Sequence, residues 1–141
     1  MSLYAESSAV LGWLLDEDSA AQVRRCLAAA DLIVASDLTL LECDRVLLRA
    51  VTLGELTEAE AADRRAHLAG ASAHWHVLRV SEAVVDRARQ PFPGEPIRTM
   101  DAIHLATALV ARAAIANLQL LSLDDRVRRA AKGLGLETVP A

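Results

Sequence analysis

The sequence predicts an α/β domain built around a mostly parallel sheet. Short apolar runs alternate along the chain with segments whose apolar residues follow helical spacing. This alternation is typical of βαβ units, whose right-handed crossovers make neighbouring strands parallel. The chain has 141 residues, close to the commonest size of one domain, and its clearest loop, residues 90–96, is too short to be a domain linker. We therefore expect a single domain over residues 1–141.

The predicted strands are short runs of apolar residues, which suits strands buried on both faces of a sheet. Four runs are clear, and one near the end of the chain is weaker. In chain order they cover residues 3–5, 32–35, 76–80, 118–121 and 137–139.

Helices are predicted between these strands from apolar spacing and from capping residues. One amphipathic stripe consists of Leu40, Cys43, Leu47, Ala50 and Val51. A mostly apolar helix runs through residues 102–113. Capping-box patterns at 57–60 and 122–125 indicate where two further helices begin. Gly133 and Gly135 are typical of the end of a last helix.

The composition excludes several classes of protein. With 53% hydrophobic and 24% charged residues, the chain can bury a core and is not expected to be disordered. Fifteen Lys and Arg against nineteen Asp and Glu leave a net charge of -4, which argues against nucleic-acid binding through a basic surface. A nuclease that uses bound cations is not excluded, because the cations supply the positive charge.

Cysteine content and hydropathy indicate the compartment. Cys26 and Cys43 both lie in helical patterns, and two cysteines are too few for a disulfide framework or a Cys-rich zinc site. No apolar run approaches the roughly 18–20 residues that span a bilayer, and the pattern of a secretory signal is missing. We expect a cytoplasmic protein with no membrane segment.

Acidic residues follow the predicted strands at the ends where open parallel sheets form their sites. Glu6 follows the first strand, and Asp124 and Asp125 follow the fourth. Glu42 borders the apolar stripe of its helix, and Asp101 lies in the first turn of the mostly apolar helix. Taken singly, each has a structural explanation, since an acid near a helix N-terminus is stabilised by the helix dipole.

Taken together, these acids predict a cation site. Glu42 can form an exposed i, i+3 pair with Arg45, but its position beside the apolar stripe favours partial burial. Glu6 carries the only charge in residues 3–15. An unpaired buried carboxylate is costly, and a divalent cation is the expected partner where no Lys or Arg lies nearby in sequence. Carboxylates are preferred ligands of Mg²⁺ and Mn²⁺, which serve phosphate chemistry.

Four short segments carry a family resemblance: residues 4–9, 38–42, 100–108 and 121–126. In this order and at these separations they resemble the PIN-domain family, especially the small VapC-type ribonuclease toxins of bacterial toxin–antitoxin pairs. The resemblance covers essentially the whole chain. It implies a three-layer α/β/α sandwich, which agrees with the parallel sheet predicted from the strand pattern.

The resemblance also implies which residues form the site. It assigns an acidic quartet that holds Mg²⁺ or Mn²⁺, namely Glu6, Glu42, Asp101 and Asp124. Around the quartet it places three supporting side chains that can orient a carboxylate or an attacking water, namely Ser8, Ser122 and Asp125. The family normally has Asp where this chain has Glu6. The extra methylene moves the carboxylate by about 1.5 Å, which bears on metal geometry.

As a function, the resemblance implies a metal-dependent endoribonuclease that is the toxin of a VapBC-type pair. Its implied partners are an RNA substrate, a cognate antitoxin and a second copy in a homodimer, with residues 46–51 and 57–71 as expected contact surfaces. Arginines near the acidic motifs can contact phosphate, or can be ordinary surface cations; they are Arg45, Arg49, Arg98, Arg126, Arg128 and Arg129. His104 is expected to be a packed or capping histidine.

Two other functions stay open at this point. One is a PIN-fold module with impaired catalysis that binds RNA or protein. Glu6, at a position where the family normally has Asp, is the feature that points to it. The other is a PIN nuclease that acts in RNA maturation outside any toxin system. A phospho-receiver domain is excluded, because Glu6 has no acidic neighbour and the single lysine, Lys132, lies in the last helix.

Overall fold

The computed structural model describes residues 1–141 and contains five strands and seven helices. The strands are β1 (Ser2–Ala5), β2 (Leu32–Ser36), β3 (His76–Leu78), β4 (Leu118–Leu121) and β5 (Thr138–Val139). The helices are α1 (Ser7–Leu14), α2 (Ala20–Ala29), α3 (Asp37–Thr52), α4 (Glu58–Ser72), α5 (Glu82–Ala88), α6 (Thr99–Ala114) and α7 (Asp125–Gly133). All five predicted strands are therefore present.

The strands form one sheet in the order β3-β2-β1-β4-β5, and every neighbouring pair is parallel. The chain adds β2 and β3 on one side of β1, and then β4 and β5 on the other. The order therefore reverses between β1 and β4, and a sheet of this kind opens a crevice at that reversal beyond the carboxyl ends of its strands.

Helices cover both faces of the sheet, which confirms the three-layer sandwich. Successive side chains of a strand point to opposite faces, so neighbours in β1 enter different cores. Tyr4 packs in the cluster that includes Leu105 of α6 and Val127 of α7. Ala5 packs in a second cluster, which includes Val10 of α1 and Cys43 of α3. The sheet is thereby buried on both sides, as its continuous apolar strands require.

The predicted third strand, residues 76–80, is shorter in the structure. Its last residue, Leu78, lies opposite Ser36, the last residue of β2. The chain enters α3 at Asp37, so β2 offers no further residues for β3 to pair with. The limit of β3 is thus set by its neighbour in the sheet and not by its own apolar run.

Most predicted helix ends are confirmed. Thr57 and Glu60 form a capping box at the start of α4, in which each side chain accepts a hydrogen bond from the other residue's backbone N–H. At the far end of α7, Gly135 has a φ of +78°, a left-handed conformation that glycine adopts at little cost.

The two cysteines do not form a disulfide bond. Both thiols are free; Cys43 is buried and Cys26 is half-buried. Burial raises the pKa of Cys43 to about 12, so this thiol stays protonated near neutral pH.

No helix is both long enough and apolar enough to cross a bilayer.

Candidate active site at the reversal of the sheet

Four of the predicted site residues, Glu6, Ser8, Ser122 and Asp124, lie at the crevice between β1 and β4. The chain leaves β1 at Glu6, whose backbone N–H donates to Leu121 of β4 over 3.0 Å. Glu6, Ser122 and Asp124 thus follow two adjacent parallel strands. Parallel pairing is the reason that residues far apart in sequence meet here.

Glu6 is almost completely buried, with 4% of its surface exposed, and it forms no ion pair with a basic residue. It caps the N-terminus of α1 by accepting a hydrogen bond from the backbone N–H of Ser8 (3.2 Å). Its Oε2 also accepts from the hydroxyls of Ser8 and Ser122, the latter over 2.7 Å. The two serines predicted to orient a carboxylate therefore contact this one.

Asp124 is the N-cap of α7. Its Oδ1 accepts from the backbone N–H groups of Arg126 (2.9 Å) and Val127 (3.0 Å), and its own N–H donates to Ser122 (3.2 Å). The capping box predicted at 122–125 is therefore wrong, because Asp124 caps the helix itself and Ser122 turns towards Glu6. Asp125 is exposed, and its carboxylate makes no hydrogen bond with the other predicted site residues.

Arg98 connects two of the acids. Its Nε donates to Asp101 Oδ2 (3.3 Å), and its Nη2 lies 4.0 Å from Asp124 Oδ2. The Arg98 side chain is 69% exposed, whereas the Asp101 side chain is 14% exposed. Arg98 thus supplies positive charge between two carboxylates. The sequence alone did not single out Arg98 for this role, because six arginines lie near the acidic motifs.

Glu42 belongs to a buried polar network and not to an exposed pair with Arg45. Its Oε1 accepts from the Ser7 hydroxyl (2.6 Å) and lies 2.5 Å from His104 Nε2. Ser7 and His104 are themselves 3.0 Å apart, and Tyr4 lies 2.8 Å from His104 Nδ1 through its hydroxyl. The prediction of a packed histidine is confirmed, since His104 is 1% exposed.

The network affects the charge of Glu42. Burial alone would raise the pKa of this carboxyl, but hydrogen bonds from His104 and Ser7 outweigh burial, and the charge of Arg98 acts in the same direction. The pKa of Glu42 therefore lies below its ordinary value of 4.5. Glu42 is anionic at neutral pH although it is half-buried.

This lowered pKa predicts a pH dependence of stability. A carboxyl whose pKa is lower in the folded than in the unfolded state stabilises the fold above its ordinary pKa, and this contribution is lost as the pH falls through the folded value. We expect the difference in free energy of unfolding between wild type and Glu42→Gln to shrink below about pH 4.5. Urea unfolding in chelating buffer, from about pH 7 to about pH 3, measures it. Parallel pH profiles of the two proteins would contradict the assignment.

Two of the acids, Glu42 and Asp101, keep an oxygen that no protein group contacts, whereas both oxygens of Glu6 accept hydrogen bonds and Asp124 Oδ2 faces Arg98. Glu42 is held only through Oε1, Asp101 only through Oδ2, and Asp124 engages backbone N–H groups only through Oδ1. Carboxylate oxygens are the donors that Mg²⁺ and Mn²⁺ take. The side chains as placed form no group of three or more His, Cys, Asp or Glu that could hold a metal ion. The chemistry of these donors fits a divalent cation.

Comparison with known proteins agrees with this architecture. The family model described as "PIN domain" matches residues 3–133. Ribonuclease VapC46 of Mycobacterium tuberculosis is 38% identical over 138 residues, which cover 98% of this chain and 96% of that protein.

Solved structures share the fold at low sequence identity. A toxin–antitoxin complex from Klebsiella pneumoniae superposes with a TM-score of 0.65 at 18% identity, covering 99% of this chain and 97% of that one. Mycobacterium tuberculosis VapC20, described as a toxin that cleaves the sarcin–ricin loop, superposes with a TM-score of 0.67 at 16% identity and covers 99% of both chains. With a family model that matches nearly the full length and a relative at 38% identity, this chain belongs to the PIN-domain family.

Proposed function

We propose that this protein is a VapC-type endoribonuclease toxin that hydrolyses RNA phosphodiester bonds with the help of Mg²⁺ or Mn²⁺. The observation that carries the proposal is that Glu6 and Asp124 follow adjacent strands at the crevice between β1 and β4 and that Arg98 links Asp124 to Asp101, in a chain 38% identical to Ribonuclease VapC46. In this proposal Glu6, Asp101 and Asp124 hold the cation, directly or through water, and Glu42 completes the acidic pocket.

The cation would polarise the scissile phosphate and activate a water for attack. The protein's contribution would be to orient two of these carboxylates. Ser8 and Ser122 hold Glu6, and the first turn of α7 holds Asp124. Such supporting contacts keep ligands oriented and are a substantial part of metal affinity.

Arg98 would supply positive charge beside the acidic pocket. It lies near both Asp101 and Asp124 and offsets the repulsion between them. The Arg98 side chain is largely exposed and therefore accessible to a substrate, and a planar guanidinium binds phosphate well. Arg98 therefore suits a contact with the RNA backbone beside the acidic pocket.

Metal removal tests this proposal. Purified protein, free of any partner, is treated with EDTA, dialysed, and incubated with a mixed RNA pool with or without Mg²⁺ or Mn²⁺. We expect intact RNA without metal and cleavage when either ion is restored, because the acidic pocket alone would repel the phosphate. Cleavage that persists in EDTA would contradict the proposal.

The alternative of a PIN-fold binding module makes a different prediction in the same assay. Glu6 replaces the usual Asp and is engaged by two serines, which is the observation that favours this alternative. RNA that is bound and left intact at every metal concentration would support the binding module. Restoration of cleavage by Glu6→Asp would then identify Glu6 as the cause.

The proposed partners are an antitoxin and a second copy of this chain. The complex from Klebsiella pneumoniae pairs the same fold with an antitoxin. A groove of about 910 Å³ between α3 and α4 lies on the two expected contact surfaces, and it is lined by arginines and apolar side chains that include Arg45, Arg49, Leu48 and Leu53. Such a lining suits an acidic, partly apolar antitoxin segment.

The proposed location is the cytoplasm, since the two free thiols fit its reducing conditions.

A further inference from the structure

The polar network behind Glu42 adds three residues that lie outside the acidic quartet. It consists of Tyr4 from β1, Ser7 from α1 and His104 from α6, together with Glu42 from α3. Tyr4 is fully buried, and His104 and Ser7 are nearly so. A buried polar network on four elements costs desolvation of every member, and each hydrogen bond in it must offset that cost.

With a neutral His104, the hydrogen bonds have a single consistent direction. A carboxylate only accepts, so His104 Nε2 must carry a hydrogen to donate to Glu42. In the neutral imidazole Nδ1 is then an acceptor, and the Tyr4 hydroxyl donates to it. Burial raises the pKa of Tyr4 above its usual range, so its hydroxyl keeps that hydrogen.

Both donors to Glu42 act on the same oxygen. Ser7 and His104 contact Oε1, so Oε2 is left without a protein partner. The Glu42 side chain is 25% exposed, in contrast to the buried groups behind it. The network therefore holds one edge of the carboxylate from the core and presents the other outward.

Resting on the proposed function, we propose that His104, fixed in one tautomer by Tyr4, is a positioning residue that orients Glu42 so that Oε2 faces the cation and substrate. His104 lies one helical turn after Asp101 on α6. The same helix therefore supplies one acid and the group that orients a second. A rotation of His104 would move Glu42 relative to Asp101.

The test compares His104→Ala with His104→Gln, since a glutamine amide can donate to Glu42 in place of Nε2. Cleavage of RNA and Mn²⁺ binding by calorimetry are both measured. We expect His104→Ala to lose about 10- to 100-fold in each, as loss of a residue that orients a metal ligand usually does. His104→Gln should recover most of that loss.

A double-mutant cycle separates positioning from a general structural effect. If His104 acts through Glu42, adding His104→Ala to Glu42→Gln should cost little more than Glu42→Gln alone. Losses that multiply fully would overturn the proposal, as would a folded His104→Ala protein with wild-type Mn²⁺ affinity and cleavage rate.

Tyr4→Phe covers the case in which His104→Ala does not fold. It removes one hydroxyl from the network, and we expect a smaller loss of RNA cleavage and of Mn²⁺ affinity than in His104→Ala. Adding Tyr4→Phe to Glu42→Gln should cause no further loss. Unchanged Mn²⁺ affinity and cleavage in folded Tyr4→Phe would then overturn the proposal. Wild-type protein that neither binds Mn²⁺ nor cleaves RNA would instead refute the proposed function, so the two failures are distinguishable.

Discussion

Asp101→Asn should reduce metal-dependent RNA cleavage by roughly a thousandfold. The substitution keeps the size of the side chain and removes its charge. Asp101 lies in the first turn of α6, beside Arg98 and one turn before His104. A metal ion supplies several kcal/mol of charge stabilisation in the transition state, and each 1.4 kcal/mol or so corresponds to a factor of ten in rate.

The matched control for Asp101→Asn is Asp86→Asn. Asp86 is an exposed acid on α5 outside the acidic pocket. The two substitutions change net charge equally, so any general effect of charge on RNA binding appears in both. We expect single-turnover cleavage by Asp86→Asn to match the wild type. Equal activity of Asp101→Asn and wild type would remove Asp101 from the site.

Leu105→Ala should lower the free energy of unfolding by about 2–5 kcal/mol. Leu105 is completely buried in the core between α6 and the sheet, in the cluster that includes Tyr4 and Leu120. Truncation removes apolar contacts and leaves a cavity that the surrounding close-packed side chains fill only in part. Urea unfolding followed by circular dichroism measures the change.

Leu41→Ala is the control for Leu105→Ala. Leu41 is 57% exposed on α3, and its truncation should change stability by less than about 0.5 kcal/mol. Similar losses in the two variants would show that Leu105 does not pack in the core as described. Because α6 also carries Asp101 and His104, we expect Leu105→Ala to weaken cleavage near its unfolding temperature as well.

Much of the fold follows from local sequence patterns. The apolar runs at 32–35 and 118–121 predict strands, because short runs of this kind suit strands that are buried on both faces of a sheet. Glu6 is conspicuous as the single charge in an apolar segment, and the structure places it at the reversal of the sheet. These features depend on residues that are neighbours in sequence.

The contacts that organise the site are not local. Glu42 and His104 are separated by 62 positions, and Ser122 and Glu6 by 116. Their meeting depends on β1 lying between β2 and β4, and neither apolar spacing nor capping patterns determine that order. The same limit explains the shortened β3, which ends where its neighbour ends, and the wrong capping box at 122–125, where Ser122 is drawn away by Glu6.

The most direct measurement is the anomalous diffraction of a crystal of the active protein soaked in Mn²⁺. We expect one peak in the crevice between β1 and β4, bonded to Asp101 and to at least one other member of the acidic quartet at roughly 2.1 Å, and the peak should disappear in Asp101→Asn. A protein that cleaves RNA in Mn²⁺ but shows no peak at this crevice, or one bound elsewhere, would contradict the proposed site.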